Sequence, residues 1–237
     1  MAAIQGFIVW EGLSRIDGKT PIVAIITFDS RNDKTGPLAQ LWILVRNQHP
    51  TAAAQSESDE GVCGSCDGRP SKSGWCYLIL PFGPGSIYKA YQNGSYVRLD
   101  LRKAEHRVKL VDEFLRVGAY GDEAAVPPVH IARARNACRG SVSYSHQFEQ
   151  FPEIADTAMI SVDNKEQFDA VHADSDRPVR TYRMLREGEE LAENEIACLY
   201  YTKGIQCIDC RLCDGGLRSH LPSIAVPVHG AKKARLK

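Results

Sequence analysis

Seven of the chain's eight cysteines fall into two tight groups, so any fold it adopts has to draw each group to a point. The later group is Cys198, Cys207, Cys210 and Cys213, with the core Cys-Ile-Asp-Cys-Arg-Leu-Cys at 207–213. The earlier group is Cys63, Cys66 and Cys76. Thiolates two residues apart on a turn converge, and a metal ion or an iron–sulfur cluster is the usual reason. In a reducing compartment such groups read as ligands before disulfides. Cys207, Cys210 and Cys213 have the spacing of ferredoxin-type cluster loops, with Cys198 supplying the fourth thiolate from a strand end. A 4Fe-4S cluster comes first, four-thiolate zinc second, and a three-Cys, one-His site with His229 in place of Cys198 third. The earlier group offers three thiolates and so leaves one position open for a bound molecule. Its spacing is not the C-x3-C-x2-C of radical S-adenosylmethionine enzymes, so S-adenosylmethionine has no support from the motif. A zinc knuckle, or one site shared by both groups, are the alternatives. Cys138 stands alone beside Arg139 and reads as a small, half-buried residue.

Between these groups, short apolar runs alternate with helical stretches. Residues 22–28 and 41–45 predict two strands of an N-terminal β-hairpin around a polar turn at 29–36. Residues 51–61 are small, polar and acidic and predict a mobile connector. Residues 76–80 predict a short strand, 81–85 a tight turn, and Ser86 an N-cap before a helix over 87–91. Strands follow at 115–120, 141–144, 158–162, 179–184, 195–197 and 224–228. Helices are predicted at 129–137, behind Pro127-Pro128, and at 164–173. The pattern predicts an α/β fold with mostly parallel strands. It is barrel-like, in the manner of an incomplete TIM-type barrel, with an N-terminal hairpin and cysteine-rich metal loops. One domain spans 1–237, with the hairpin and connector at 1–60 and the core at 61–237.

Strand after strand ends on a polar or liganding residue: Asp122, His146, Asp163 and Cys198. That edge is where parallel α/β folds bind ligands. Arg116, Tyr120 and Asp122 alternate along one face, as do Tyr144 and His146, and Arg180 and Tyr182. If these strands are neighbours, His146, Asp122, Asp163, Arg116 and Arg180 form an acid–base set able to hold an anionic substrate. Taken singly, each Asp serves equally well as a helix cap. Gly83, Gly85 and Ser86, in Phe-Gly-Pro-Gly-Ser, offer backbone N–H groups to a phosphate, although a tight strand-to-helix turn explains them better. Lys34, in the hairpin turn, is a weaker phosphate contact, since a turn lysine is usually solvated. His106 and His172 read as surface residues of helices.

With 43% hydrophobic residues the 237-residue chain can bury a sizeable core, and its formal net charge of zero argues against a broad polyanion-binding face. The basic tail at 231–237 reads as solvated. No apolar run is long enough to span a membrane, and residues 6–10 are too short for a signal sequence. A cytoplasmic protein follows.

Several motifs together resemble a family of cysteine-rich proteins encoded by bacteriophages and prophages. They are Lys-Thr-Gly-(x)3-Gln-x-Trp at 34–42, Val-Cys-Gly-x-Cys at 62–66, Cys-Tyr at 76, Gly-Pro at 83 and Gly-Ala-Tyr-Gly-Asp-x-Ala-Ala-Val-Pro at 118–127. Tyr-x-His-Gln at 144–147, Ser-Val-Asp at 161–163 and the Cys-x2-Cys-x2-Cys run at 207–213 complete the set. The resemblance spans most of the chain. Arg-Thr-Tyr-Arg at 180–183 departs slightly, since relatives look like Arg-Thr-Phe-Arg. It implies a phage-linked role inside a host cell and supplies no reaction. Three readings of function follow. One is an iron–sulfur enzyme acting on a nucleotide or nucleic acid. Another is a zinc-stapled protein that binds DNA or a host protein without catalysis. The last is a base-exchange enzyme resembling the tRNA-guanine transglycosylases, with Cys207, Cys210, Cys213 and His229 on zinc and Asp122 and Asp163 as carboxylates. Oligomeric state is left open.

Overall fold

The computed structural model describes residues 4–72, 74–173 and 179–230. The basic tail lies outside the described residues. Three strands open the chain, β1 (Gly6–Leu13), β2 (Pro21–Thr27) and β3 (Ala39–Val45). They form an antiparallel meander in which Ile8 faces Ile25 and Ala24 faces Ile43. The β-branched run of β2 is buried on both faces, with Ile22 to Ile26 at 0% exposure. Each such isoleucine contributes about 1.5–3 kcal/mol by leaving water. The predicted hairpin is β2–β3. Residues 6–10, too short for a signal sequence, lie in β1.

Short helices and strands then alternate: α1 (Pro50–Gln55), α2 (Glu60–Cys63), α3 (Gly83–Gln92), β4 (Val97–Arg98), α4 (Ala104–Val111), β5 (Phe114–Tyr120), α5 (Pro128–Ala137), β6 (Gly140–Val142) and β7 (Tyr144–Ser145). The chain continues through β8 (Met159–Val162), α6 (Lys165–Ala173), β9 (Thr181–Leu185), β10 (Glu195–Ala197), α7 (Leu199–Lys203), α8 (Cys207–Cys210) and β11 (Ser223–Pro227). Two sheets result. The first has the order β4-β1-β2-β3-β5-β6, and the second β10-β11-β9-β8-β7. Outside the meander every pairing is parallel. A mixed α/β fold with mostly parallel sheets is therefore observed, as the alternation predicts.

The run predicted as one strand at 141–144 is split between the sheets. Ser143 is the joint: its N–H donates to Cys213 O and its carbonyl accepts from Met159 N, both at 3.0 Å. A single residue thus passes the chain from one sheet to the other.

Other differences have local causes. The expected connector at 51–61 carries α1 and α2. Pro50 stands in the first turn of α1, the His49 ring accepts from Thr51 N, and Asp59 is buried with its carboxylate on Ser71. Residues 76–80 form no strand, because Cys76 N closes a loop onto Gly68 O instead of pairing with a sheet. The helix expected from Ser86 starts at Gly83, since Pro84 suits a first turn. His106 is not on the surface. It packs 4.7 Å from the Phe7 ring and accepts from Asp100 N.

Arg183 and Glu195 are joined at 2.7 Å with both side chains at 0% exposure, which ties β9 to the start of β10. Glu189 and the Glu190 carbonyl satisfy the rest of the guanidinium. Removing one partner strands the other charge in the core. Arg183→Leu is expected to cost about 3–5 kcal/mol in urea unfolding; a loss under about 1 kcal/mol would show that the pair does not hold this sheet together.

Candidate active site

A cavity of about 510 Å3 lies where the two sheets meet, walled by the ends of β5, β7, β8 and β9. Asp122, His146 and Asp163 all line it, so three of the predicted strand-end residues do converge. So do Arg116, Cys63, Cys66, Cys76 and His229.

The backbone brings them there by close approaches. After β5 the chain turns through Gly121 at φ 80°, where a Cβ would stand 2.7 Å from Ile43 O. Asp122 follows, 6% exposed. Its Oδ1 accepts from Ala124 N and Ser145 Oγ, and its Oδ2 from His146 N at 2.9 Å. Its own N–H donates to Val62 O. Burial pushes the carboxyl up from 3.8 to about 6, against these hydrogen bonds, which favour the ion. Asp122 thus caps the following turn and also holds the His146 loop.

The earlier cysteine loop is pinned to that same loop. Gln147 Nε2 donates to Cys63 O at 3.0 Å, Ser65 N donates to Gln147 Oε1 at 3.2 Å, and Ser65 Oγ donates to His146 O at 3.3 Å. Gly64, at φ 57°, leaves room for the Gln147 amide, which any Cβ there would strike. The His146 ring is hydrogen-bonded to the Cys66 sulfur, and its Nε2 donates to Asp163 Oδ1 at 3.2 Å. Burial pulls the imidazolium down, but the Cys66 sulfur and Asp163 outweigh it and hold its pKa well above the ordinary value.

Opposite stand the cations. Arg116 Nη2 donates to Tyr77 Oη at 2.6 Å. Lys34 Nζ reaches Tyr182 Oη at 3.4 Å and lies 4.8 Å over the Tyr201 ring. Arg69 was not expected. Its Nε and Nη1 are buried without a hydrogen bond, and the nearest carboxylate, on Glu60, is 3.8 Å from Nη1. The Tyr120 hydroxyl is also buried and unpartnered. The walls carry further aromatic rings, with Tyr144 and Tyr182 at 4.1 Å. Nothing in the spacing around Arg69 marks it; only the folding of the 66–76 loop brings it to the cavity.

Other candidates lie elsewhere. Arg180 does not line the cavity. It donates to Asp214 Oδ1 at 2.6 Å, Leu212 O at 2.5 Å and Pro222 O at 3.1 Å, which braces the later cysteine loop. Gly83, Gly85 and Ser86 begin α3 away from the cavity. Gly83 packs on the Trp42 ring and Gly85 against His49 and Leu80 O, and both lie in the first turn of α3, with no strand before them to make the expected strand-to-helix turn.

Cys198, Cys207, Cys210 and Cys213 border one small neighbouring cavity of about 20 Å3. His229 does not; it sits between the Tyr77 and Tyr201 rings of the larger one. The loop is docked by Cys207 N on Lys34 O and Ile208 N on Thr35 O. Arg211 turns it through a left-handed φ of 54°. None of the eight cysteines is in a disulfide. Burial pushes Cys213 up to about 12, and the neighbouring Cys207, Cys198 and Cys210 add to this. Such crowding of thiols suits a bound cation in its chemistry. Among the described residues, however, no three Cys, His, Asp or Glu side chains are set to hold a metal ion as they stand. The donors fit in kind and shared location, not yet in closed geometry. Comparison of the chain with protein-family models, with curated proteins and with solved structures finds no match.

Asp122 generates a pH dependence. Its carboxyl rises from 3.8 to about 6 on folding, so the folded state binds the extra proton between those values. Stability therefore falls as pH rises through this window, by about 3 kcal/mol in all. Unfolding free energies measured across it should show this slope in the native chain and lose it in Asp122→Asn. Parallel curves would assign the slope to other groups.

Proposed function

We propose that the chain is an enzyme that binds a nucleotide-class substrate in the cavity between the sheets, beside a metal centre held by Cys198, Cys207, Cys210 and Cys213. The observation that carries this reading is the cavity itself. It combines aromatic walls, suited to a base, with the Arg69 guanidinium, whose buried Nε and Nη1 make no hydrogen bond and whose ion pair with Glu60 is a loose 3.8 Å, so that it can take an anionic group. His146 and Asp163 stand at its edge as acid–base groups. We read the two sheets as parts of an incomplete barrel, since parallel barrels also carry their sites at the C-terminal ends of strands. The resemblance to phage-encoded proteins supports a role in a host cytoplasm; the nucleotide class is read from the cavity's rings and arginines.

The four-thiol loop would hold a 4Fe-4S cluster, with zinc as the alternative; such a centre supplies electron transfer or structural bracing. Arg180 and Ser143 hold the loop in place whichever metal binds. The base-exchange reading has less support, because His229 faces the larger cavity and Asp122 is engaged in holding the His146 loop.

Anaerobic purification with metal analysis tests the centre. About four irons per chain with broad visible absorption are expected, and Cys210→Ser with Cys213→Ser should remove them. Zinc alone would return the chain to a stapled binding protein for DNA or a host protein. Calorimetry with nucleoside monophosphates tests the cavity. Arg69→Ala is expected to weaken binding about tenfold or more, the loss of a charged hydrogen bond. No binding by the native chain would remove the nucleotide reading.

A further inference from the structure

The earlier cysteine group invites assignment as three equivalent ligands, but its members are not placed alike. Cys66 has its sulfur hydrogen-bonded to the His146 ring, and the Nε2 of that ring lies 3.2 Å from Asp163 Oδ1. We propose that Cys66 is the nucleophile of the large cavity, with His146 as its proton acceptor and donor and Asp163 as the residue positioning the imidazole. The inference rests on reading that cavity as a substrate site.

The arrangement is built from three separate stretches of chain. Asp163 follows β8 and His146 follows β7, and these are neighbouring parallel strands, so the two residues emerge side by side. Cys66 comes from a much earlier loop, next to Ser65, whose N–H and hydroxyl bond Gln147 and His146. Three bonds lock that loop to His146 and Gln147, and Asp122 fixes the His146 backbone from below. Gln167 Oε1 accepts from Asp163 N at 2.7 Å and sets the carboxylate's backbone. Cys66, His146 and Asp163 all open on the one cavity. Cys63, by contrast, is half-buried, and desolvation, the neighbouring Cys66 and Cys76 sulfurs and then Asp59 and Asp122 all oppose a thiolate there. A thiol, imidazole and carboxylate in series is an activated nucleophile recognised by geometry, whatever the fold.

The chemistry that follows needs only water. With its proton already resting on His146, the Cys66 sulfur attacks an sp2 carbon of the bound molecule as the thiolate, and a C–S bond forms. A nitrogen leaves that carbon, taking the proton from His146 as the C–N bond breaks. Water then attacks the same carbon and gives a proton to His146. The C–S bond breaks, and the proton returns to sulfur. The sum is hydrolysis of a C–N bond without oxidation or reduction. An amide or amidine group is the substrate class, because a departing nitrogen has to be protonated and His146 is placed to do so.

Alkylation of the full chain by iodoacetamide at neutral pH, resolved cysteine by cysteine in peptide mass spectra, tests the assignment. Cys138 is the internal reference, since burial pushes its thiol up to about 12. Cys66 is expected to react about tenfold faster or more than Cys138. His146→Ala should bring it down to the reference rate. Asp163→Asn should slow it and Asp163→Glu restore it, with circular dichroism unchanged. His146→Gln is read alongside in case the alanine variant unfolds. Three results would overturn the proposal: Cys66 no faster than Cys138, a rate indifferent to His146, or Cys63, Cys66 and Cys76 protected together until a chelator is added. Fast labelling of Cys66 that saturating nucleoside monophosphate slows supports both nucleophile and cavity. Fast labelling that the nucleotide leaves untouched keeps the nucleophile and removes the nucleotide reading.

Discussion

One buried carboxylate holds the candidate site together. Asp122 leaves the end of β5 in the first sheet, and its two oxygens engage Ser145 and His146 at the end of β7 in the second. Its N–H is tied to Val62, next to the earlier cysteine loop. Three segments from distant parts of the chain therefore meet on three atoms of Asp122. A buried carboxyl is costly unless its hydrogen-bonding capacity is filled, and here it is filled by the groups that shape the cavity. Glu123 repeats the device next door, accepting from Ser143 Oγ and from Arg135 at 2.6 Å. The joint between the sheets is thus polar and specific, whereas the strands behind it are held by apolar burial.

The two cysteine groups have different surroundings, and this separates their chemistry. The later group has its 207–213 loop docked on residues 34–35 and clasped by Arg180; all four cysteines border one small space, and Cys207 also lines the large cavity. The earlier group opens on the large cavity, among His146, Asp163 and the arginines. Lys34 borders both spaces, so the hairpin turn is their common wall. A centre in the later loop would brace the wall against which a substrate rests.

Much of this was legible in the chain. The alternation of β-branched runs with helical stretches predicts parallel α/β sheets because side-chain periodicity is a local property. The polar residues at 122, 146 and 163 mark strand ends for the same reason. What was misread depended on distant partners. Residues 51–61 lack an apolar period, yet Pro50 and the buried Asp59 support two short helices. Residues 76–80 have strand composition but no sheet edge to pair with. His106 looks exposed until Phe7 covers it.

Spacing and turn composition act over a few residues, and they were enough to place Asp122, His146 and Asp163 at strand ends. Only the tertiary structure decided their company. It divided 141–144 between two sheets at Ser143, set Cys66 on His146 rather than beside Cys63 alone, turned Arg180 into a brace and delivered Arg69 to the cavity. Those outcomes depend on contacts across tens of residues, where burial and hydrogen-bond completion outweigh local preference.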